Sequence, residues 1–552
     1  MEQAYVERRY LVSFETRRMG HIFTDVLVIG GGAGGLRAAI EASRYGQTLM
    51  IVKGAAEDSN SAYAQGGVAA VLDEADSIDE HIHDTLVAGA DLCDETAVRE
   101  VAANAAGQIH ELVGWGADFD RSGGRLDLTR EGGHGQRRIV HAHGDATGIE
   151  IVRTLWRLAS SREGLKIFDH CFVIDLITDP PDGGDGATVL GAMTWHERFG
   201  PQMIWARQTI LATGGAGVLW RETTNPPVAT ADGHAMAFRA GAALADMEMM
   251  QFHPTTLYIA GASRSLISEA VRGEGAYLVD RNGERFMPNY HSDAELAPRD
   301  VVSRAILRQI AATGGGVFLD VRHLGAERFA QRFPGIYEQC RKFEIDPATD
   351  RIPVRPAAHY MIGGVRTDLE GRTNLRNLLA CGECANTGLH GANRLGSNSL
   401  IEALVLGHRC GRLAGEASRG SNGKLAIPDM KYAFESVRRT ELDLSDIRNS
   451  LRAIMWRNVG VARAGQTLEE TIEIVNFWGR YVLDKGFFHP DGWQLQNMLT
   501  VARLVAELAR RRTESRGVHY RTDCPDADPA WRRHQTVRVA DRQLVVDSIP
   551  TT

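Results

Sequence analysis

The chain has 552 residues, a net charge of −8, and 43% hydrophobic and 24% charged residues. That length exceeds one ordinary core and implies roughly two to four domains. The balance is that of a folded globular protein; no basic block marks a nucleic-acid binder, and no apolar run reaches membrane length.

Residues 1–21 are an extension without an assigned structure. Its Arg8-Arg9 and Arg17-Arg18 pairs resemble twin-arginine signals but lack the apolar region such a signal needs, so a cytoplasmic protein is expected. Seven scattered cysteines fit a reducing compartment and argue against a disulfide framework. A nucleotide-binding unit begins at about Ile22. Residues 26–29 read as a buried strand, 30–35 as a glycine turn, and Leu36 onward as a helix of small residues. Gly30, Gly32 and Gly35 fit G-x-G-x-x-G, in which a tight turn brings a pyrophosphate onto helix N-terminal amides. The second strand, 48–52, ends in Lys53 where an NAD site would place an acid. The motif alone therefore does not choose the dinucleotide.

A polar loop of small residues follows at 58–67, D-S-N-S-A-Y-A-Q-G-G, and then helices over 79–116. The stretch 128–148 is polar, glycine-broken and dense in Arg and His, so it is a poor core and either a site or a solvated loop. Strands are expected at 172–176, 189–195 and 203–206, with a further strand ending in A-T-G-G at 212–215. The character changes at 246–358, which reads as an α+β insertion. The nucleotide fold resumes with the strand-turn 377–383 and a helix opening at 397–410. Cys381 and Cys384 form a C-x-x-C, but no second pair completes a tetrahedral site, so no metal is expected. The last part reads as helices, with Ile447, Leu451, Ile454 and Met455 at helical spacing, followed by a polar tail segment at 516–523.

Several motifs now stand in order: V-I-G-G-G-A-G-G, A-Y-A-Q-G-G, L-T-R-E-G-G-H, H-A-H-G-D-A-T-G, Q-F-H-P-T-T, E-L-A-P-R-D, P-A-A-H-Y, G-L-H-G-A-N-R and S-N-S-L. With them the chain resembles the fumarate reductase/succinate dehydrogenase flavoprotein group, and within it the L-aspartate oxidase family, over nearly its whole length. The resemblance implies an α/β fold: a Rossmann-like FAD-binding domain in two parts (22–245 and 359–430), an inserted α+β capping domain (246–358) and a C-terminal helical domain (431–552). It implies FAD contacts at Gly30, Gly31, Gly32, Ala33, Gly34, Lys53, Asn60, Ser61, Ala62, Tyr63, Ala64, Gln65, Gly66, Gly67, Asp232, Glu383, Ser399 and Leu400. Asn60 stands where the membrane-complex dehydrogenases carry a histidine bonded to the flavin, so the FAD is expected to be noncovalent.

A four-carbon dicarboxylate needs cations or strong donors at both ends. The family positions fall on Arg394, His253, His359 and Arg299, with Arg299 also the proton donor/acceptor. Glu131 matches the acid that would hold the amine of aspartate and repel succinate, and Gln251 helps orient the site. The activity implied is oxidation of L-aspartate to iminoaspartate, with O2 or fumarate as acceptor. This is the first step of de novo NAD biosynthesis, with hand-off of the imine to quinolinate synthase. The alternatives are a soluble fumarate reductase/succinate dehydrogenase flavoprotein subunit, against which Asn60 and Glu131 count, and an electron-transfer subunit docked on an iron-sulfur partner.

Overall fold

A computed structural model describes residues 3–55, 57–261, 264–420, 425–434 and 442–552. The first two residues of the N-terminal extension lie outside them. The strand Gly20–Ile29 has its last four residues wholly buried. It lies at the middle of a seven-stranded sheet, with Gly200–Leu211 on one side and Thr48–Ile51 on the other. These pairings are parallel, as is that of Thr48–Ile51 with Leu165–Phe168. Parallel strands buried on both faces read as continuous apolar runs, which V-L-V-I and T-L-M-I are. The helices Ala33–Ala42 and Asn398–Ser418 pack together, with Gly407 and Gly411 of one against the backbone of Gly34 and Ala38 of the other.

Cys171–Asp179 and Thr188–His196 add an antiparallel meander to the sheet. Here the structure corrects one expectation. The short strand at 203–206 and the separate strand after it are one twelve-residue strand, Gly200–Leu211. Its polar Arg207 and Gln208 do not break it, because Arg207 pairs with Asp25 at 3.1 Å and Gln208 donates to Asn377 at 3.1 Å.

The inserted segment forms a five-stranded antiparallel sheet carrying the helix Arg299–Thr313 against its Met250–Leu257 strand. It has its own apolar cluster, which includes Leu278, Phe286, Val302, Ile306 and Leu319. Its return strand, Ile352–Met361, runs across the boundary expected at 358. His359 falls at an irregularity in this strand's pairing, between Ala358 opposite Phe252 and Tyr360 opposite Gln251.

The C-terminal part contains three helices, Leu444–Asn458, Gly465–Val482 and Pro490–Arg511. The polar segment 516–523 after them is not a free tail, since Arg516, His519 and Arg521 are buried, and beyond it the part expected to be helical ends in strands. Arg533–Ala540 and Gln543–Pro550 form a hairpin that joins the sheet of Leu244–Ala245 and Gly364–Arg366. Polarity hid this strand because its buried polar residues are satisfied in place. His534 sits between Asp246 at 2.5 Å and Asp94 at 3.3 Å.

Candidate active site

One cleft runs from the glycine turn to the seam between cap and nucleotide fold. Its outer half is lined by Gly30–Gly34, Lys53, Asn60 and Asp232, and its inner half by Glu131, His253, His359, Arg299 and Arg394; Asn60, Ser61 and Glu383 face both halves.

The outer half is a cradle for an extended anionic ligand. Gly30 has φ +116°, and a Cβ there would lie 2.1 Å from the Ala212 carbonyl. A Cβ on Gly35 would lie 2.0 Å from the Gly30 carbonyl. Both positions therefore require glycine. The helix Ala33–Ala42 has no side-chain cap of its own, and its first amide donates to Ser61 Oγ at 3.0 Å. Its N-terminal amides face the cleft, as a pyrophosphate requires. Lys53 ends the second strand and reaches Asp232 (2.8 Å), Thr230 (2.6 Å) and the Val228 carbonyl (3.1 Å).

Further in, Asn60 donates to Glu383 at 2.5 Å, and the other Glu383 oxygen accepts from the Met361 amide. Burial pushes the Glu383 carboxyl up to about 7. The buried oxygens of Asn60 and Gln65 have no hydrogen-bond partner within the protein. Buried polar atoms are normally paired, so these two await one. The helix Asn398–Ser418 likewise presents an N-terminus without a side-chain cap, since Ser397 gives its hydroxyl to Glu131 instead. Open amides, orphaned acceptors and a lysine at the strand end fit FAD. Ala62 does not line the cleft; it packs into the core under the Ala33–Ala42 helix. Tyr63 is half exposed at the rim.

The inner half concentrates buried charge. Arg299 opens the helix Arg299–Thr313, whose positive end points the same way as its guanidinium. Arg299 donates to Glu269 at 2.7 Å and to Gln251 at 3.1 Å. Glu269 also takes Arg272 at 3.0 Å, so it lies between two guanidiniums. Burial opposes its ionisation, but Arg299 and Arg272 outweigh it and hold its carboxyl below the usual range. Arg394 differs. Its longest-range donor reaches only Gln251 at 3.4 Å, its Nε is buried and unpartnered, and it forms no ion pair among the described residues. Burial, and then Arg299, lower it to about 10. A buried guanidinium without a carboxylate is costly, so Arg394 is a candidate to hold a ligand's.

Glu131 is fully buried and accepts from Ser397 at 2.7 Å. Burial and the neighbouring Glu269 raise its carboxyl above the usual range. A Cβ on Gly396 would lie 3.0 Å from Glu131, 3.1 Å from Arg299 and 3.1 Å from Glu269, so the three side chains surround that glycine. His253 and His359 sit with ring centroids 5.1 Å apart. Burial, followed by Arg299, holds both well below the ordinary histidine range, so both are neutral. The Thr255 amide approaches His253 Nδ1 at 3.3 Å, and Thr224 Oγ1 lies 2.9 Å from His359 Nδ1. Both rings are thus oriented through Nδ1.

Gln251 is buried behind the arginines and outside the cleft lining. It accepts from Arg299 and Arg394 and donates to Asn393 and the Arg394 carbonyl, so it positions the two guanidiniums. Sequence reading missed Glu269, Arg272 and Ser397. The Glu269–Arg272 spacing of three on a helix was an available signal for a pair; Ser397 gave none.

The FAD binding domain family matches residues 25–400, and the fumarate reductase flavoprotein C-terminal family matches 490–550. An L-aspartate oxidase of Streptomyces coelicolor is 43% identical over 549 residues, covering 96% of this chain and 94% of its own. The chain belongs to the L-aspartate oxidase family. It is an FAD-dependent oxidoreductase. A Vibrio cholerae L-aspartate oxidase is 39% identical and covers 91% of the chain and 96% of its own. Among solved structures, an E. coli quinol fumarate reductase superposes with TM-score 0.88 at 30% identity over 97% of both chains. Mycobacterium smegmatis Sdh1 gives 0.81 at 32% identity over 97% of this chain and 95% of its own. The chain thus shares its scaffold with that quinol fumarate reductase and with Sdh1. No helix among the described residues is long and apolar enough to cross a membrane.

Proposed function

We propose that the protein oxidises L-aspartate to iminoaspartate. The observation that carries this is the buried Glu131 carboxylate beside Arg299 and the unpaired Arg394. Two guanidiniums and two neutral imidazoles suit two carboxylates, and a third, opposed charge suits an ammonium. Succinate and fumarate have nothing for Glu131 to bind.

FAD, when bound, supplies the acceptor for the hydride that leaves the substrate Cα. The protein's residues do the rest. Arg394, with His253 and His359 donating through Nε2, anchors the carboxylates and fixes which C–H bond faces the cofactor cleft. Glu131 orients the ammonium. Its raised carboxyl is matched to take a proton from nitrogen as the C=N bond forms. Arg299 stabilises a carboxylate in this direction. In the reverse sense it is the acid that delivers a proton to fumarate carbon, resupplied through Glu269 and Arg272. The cap excludes water as it closes over this face.

The electrons pass to O2, giving hydrogen peroxide, or to fumarate, giving succinate. The imine, short-lived in water, is the substrate expected by quinolinate synthase at the head of de novo NAD synthesis. Seven free cysteines accord with a reducing, cytoplasmic setting. Asn60, an amide engaged with Glu383, supports noncovalent FAD. The test is product analysis in air: L-aspartate should yield equal amounts of peroxide and of oxaloacetate plus ammonia from imine hydrolysis. Peroxide-free oxidation of succinate to fumarate would favour the soluble dehydrogenase reading, which the likeness to quinol fumarate reductase keeps as the second candidate.

A further inference from the structure

A second cavity lies behind Glu131, on the side away from the nucleotide cradle. It is bounded by 129–137 of the nucleotide domain and by Gly273, Glu274 and Leu296 of the cap. Glu131 lines both this cavity and the substrate half of the main cleft, so one residue separates them. The wall is thin and made at a domain seam. A Cβ on Gly132 would lie 2.6 Å from Glu269 and 3.4 Å from the Leu296 carbonyl, and one on Gly273 would lie 3.0 Å from the Arg130 carbonyl. The loop and the cap touch there through glycines, without an ion pair among the described residues to lock them.

The cavity is lined by two arginines, Arg130 and Arg137, and two carboxylates, Glu131 and Glu274. Arg130 is exposed, and its side chain has neither a hydrogen-bond nor an ion-pair partner among the described residues. Arg137 is exposed and uses only Nε, donating to the Leu128 carbonyl at 2.9 Å. The carboxylate that faces them, Glu274, is already paired with Arg328 at 2.8 Å and Arg332 at 3.6 Å. Two uncompensated guanidiniums therefore stand at the mouth of a chamber whose inner wall is the substrate site, in a chain of net charge −8. A dianion that reaches this surface meets two guanidiniums with no carboxylate of their own.

We propose that this cavity is the entrance for dicarboxylates. Arg130 and Arg137 collect the anion, and the 130–132 loop parts from the cap at Gly273 and Leu296 to admit it past Glu131. The inference rests on the dicarboxylate reading of the inner site. Steering acts on encounter, so the two arginines set the second-order rate and leave the chemical step alone. Fumarate carries two negative charges and aspartate a net single one, so fumarate depends on the arginines more.

The test uses FAD-loaded enzyme, wild type and Arg130→Gln/Arg137→Gln, with flavin absorbance in a stopped-flow instrument. The enzyme is reduced chemically and reoxidised by fumarate without oxygen, or reduced by L-aspartate. The double variant should lose about fivefold or more in the second-order constant for fumarate at low salt, and less for aspartate. Its ionic-strength dependence should flatten, and its limiting rate at saturation should equal wild type. Arg130→Lys/Arg137→Lys should restore the second-order constant, since steering needs charge and not a planar fork. An unchanged second-order constant, or a fall in the limiting rate instead, would overturn the proposal. Wild-type enzyme that reacts with neither ligand would overturn the dicarboxylate reading itself, so the two failures are distinct.

Discussion

Replacing Glu131 with Gln separates the reading of the amine from the binding of the carboxylates. The change keeps the side chain's shape, and the new amide oxygen can still accept the Ser397 hydroxyl now 2.7 Å from the carboxylate. It also removes a buried charge that Glu269 already disfavours, so folding and FAD loading should be unaffected. What disappears is the charge-assisted contact to the substrate ammonium. Losing that contact costs about 1.5–3 kcal/mol, and losing the proton acceptor adds to it, so kcat/KM for aspartate should fall by at least roughly 10- to 150-fold. Fumarate has no amine, and its reduction should change by no more than about threefold, the scatter expected of a nearby neutral substitution. The assay is anaerobic flavin reduction by L-aspartate against flavin reoxidation by fumarate, on the same preparation. Equal losses for both would refute the reasoning, because a residue that merely shapes the pocket would penalise both alike.

Three further outcomes follow from the same geometry. Arg394→Met should cost roughly 30- to 5,000-fold in kcat/KM for aspartate and for fumarate, the cost of leaving a buried ligand carboxylate unpaired, and Arg394→Lys should restore only part of it; steady-state kinetics with both substrates measures this. Acid precipitation of the holoenzyme should leave all flavin in the supernatant and a non-fluorescent pellet, because Asn60 offers no nucleophile for a covalent link. His534 is raised to about 9: burial opposes its protonation, and Asp246 and Asp94 overcome that. An unfolded histidine titrates near 6.5, so this contribution is fully present below that pH and is lost as pH rises through 9, by up to about 3 kcal/mol. Melting temperatures of the wild type should fall across that window more steeply than those of His534→Gln.

The nucleotide fold was legible because its signals are local. V-L-V-I before the glycine turn, the small-residue helix after it and the alternating strands of the meander need no distant partner to be read. The substrate site was legible only as scattered residues. Glu131, His253, Arg299, His359 and Arg394 come from separate stretches, and only tertiary packing sets them around one cleft. Glu269 shows what pattern alone omits. Its role comes from lying between Arg299 and Arg272, and one of those contacts spans thirty positions. The C-terminal hairpin was hidden for the same reason: His534 and Gln535 are buried and paired with residues nearly three hundred positions away, which no local pattern shows.

The most direct test of the account is to add L-aspartate, and separately succinate, to oxygen-free FAD-loaded enzyme and follow the flavin absorbance. The account predicts bleaching by L-aspartate and none by succinate at the same concentration. Bleaching by succinate with L-aspartate inert would contradict it.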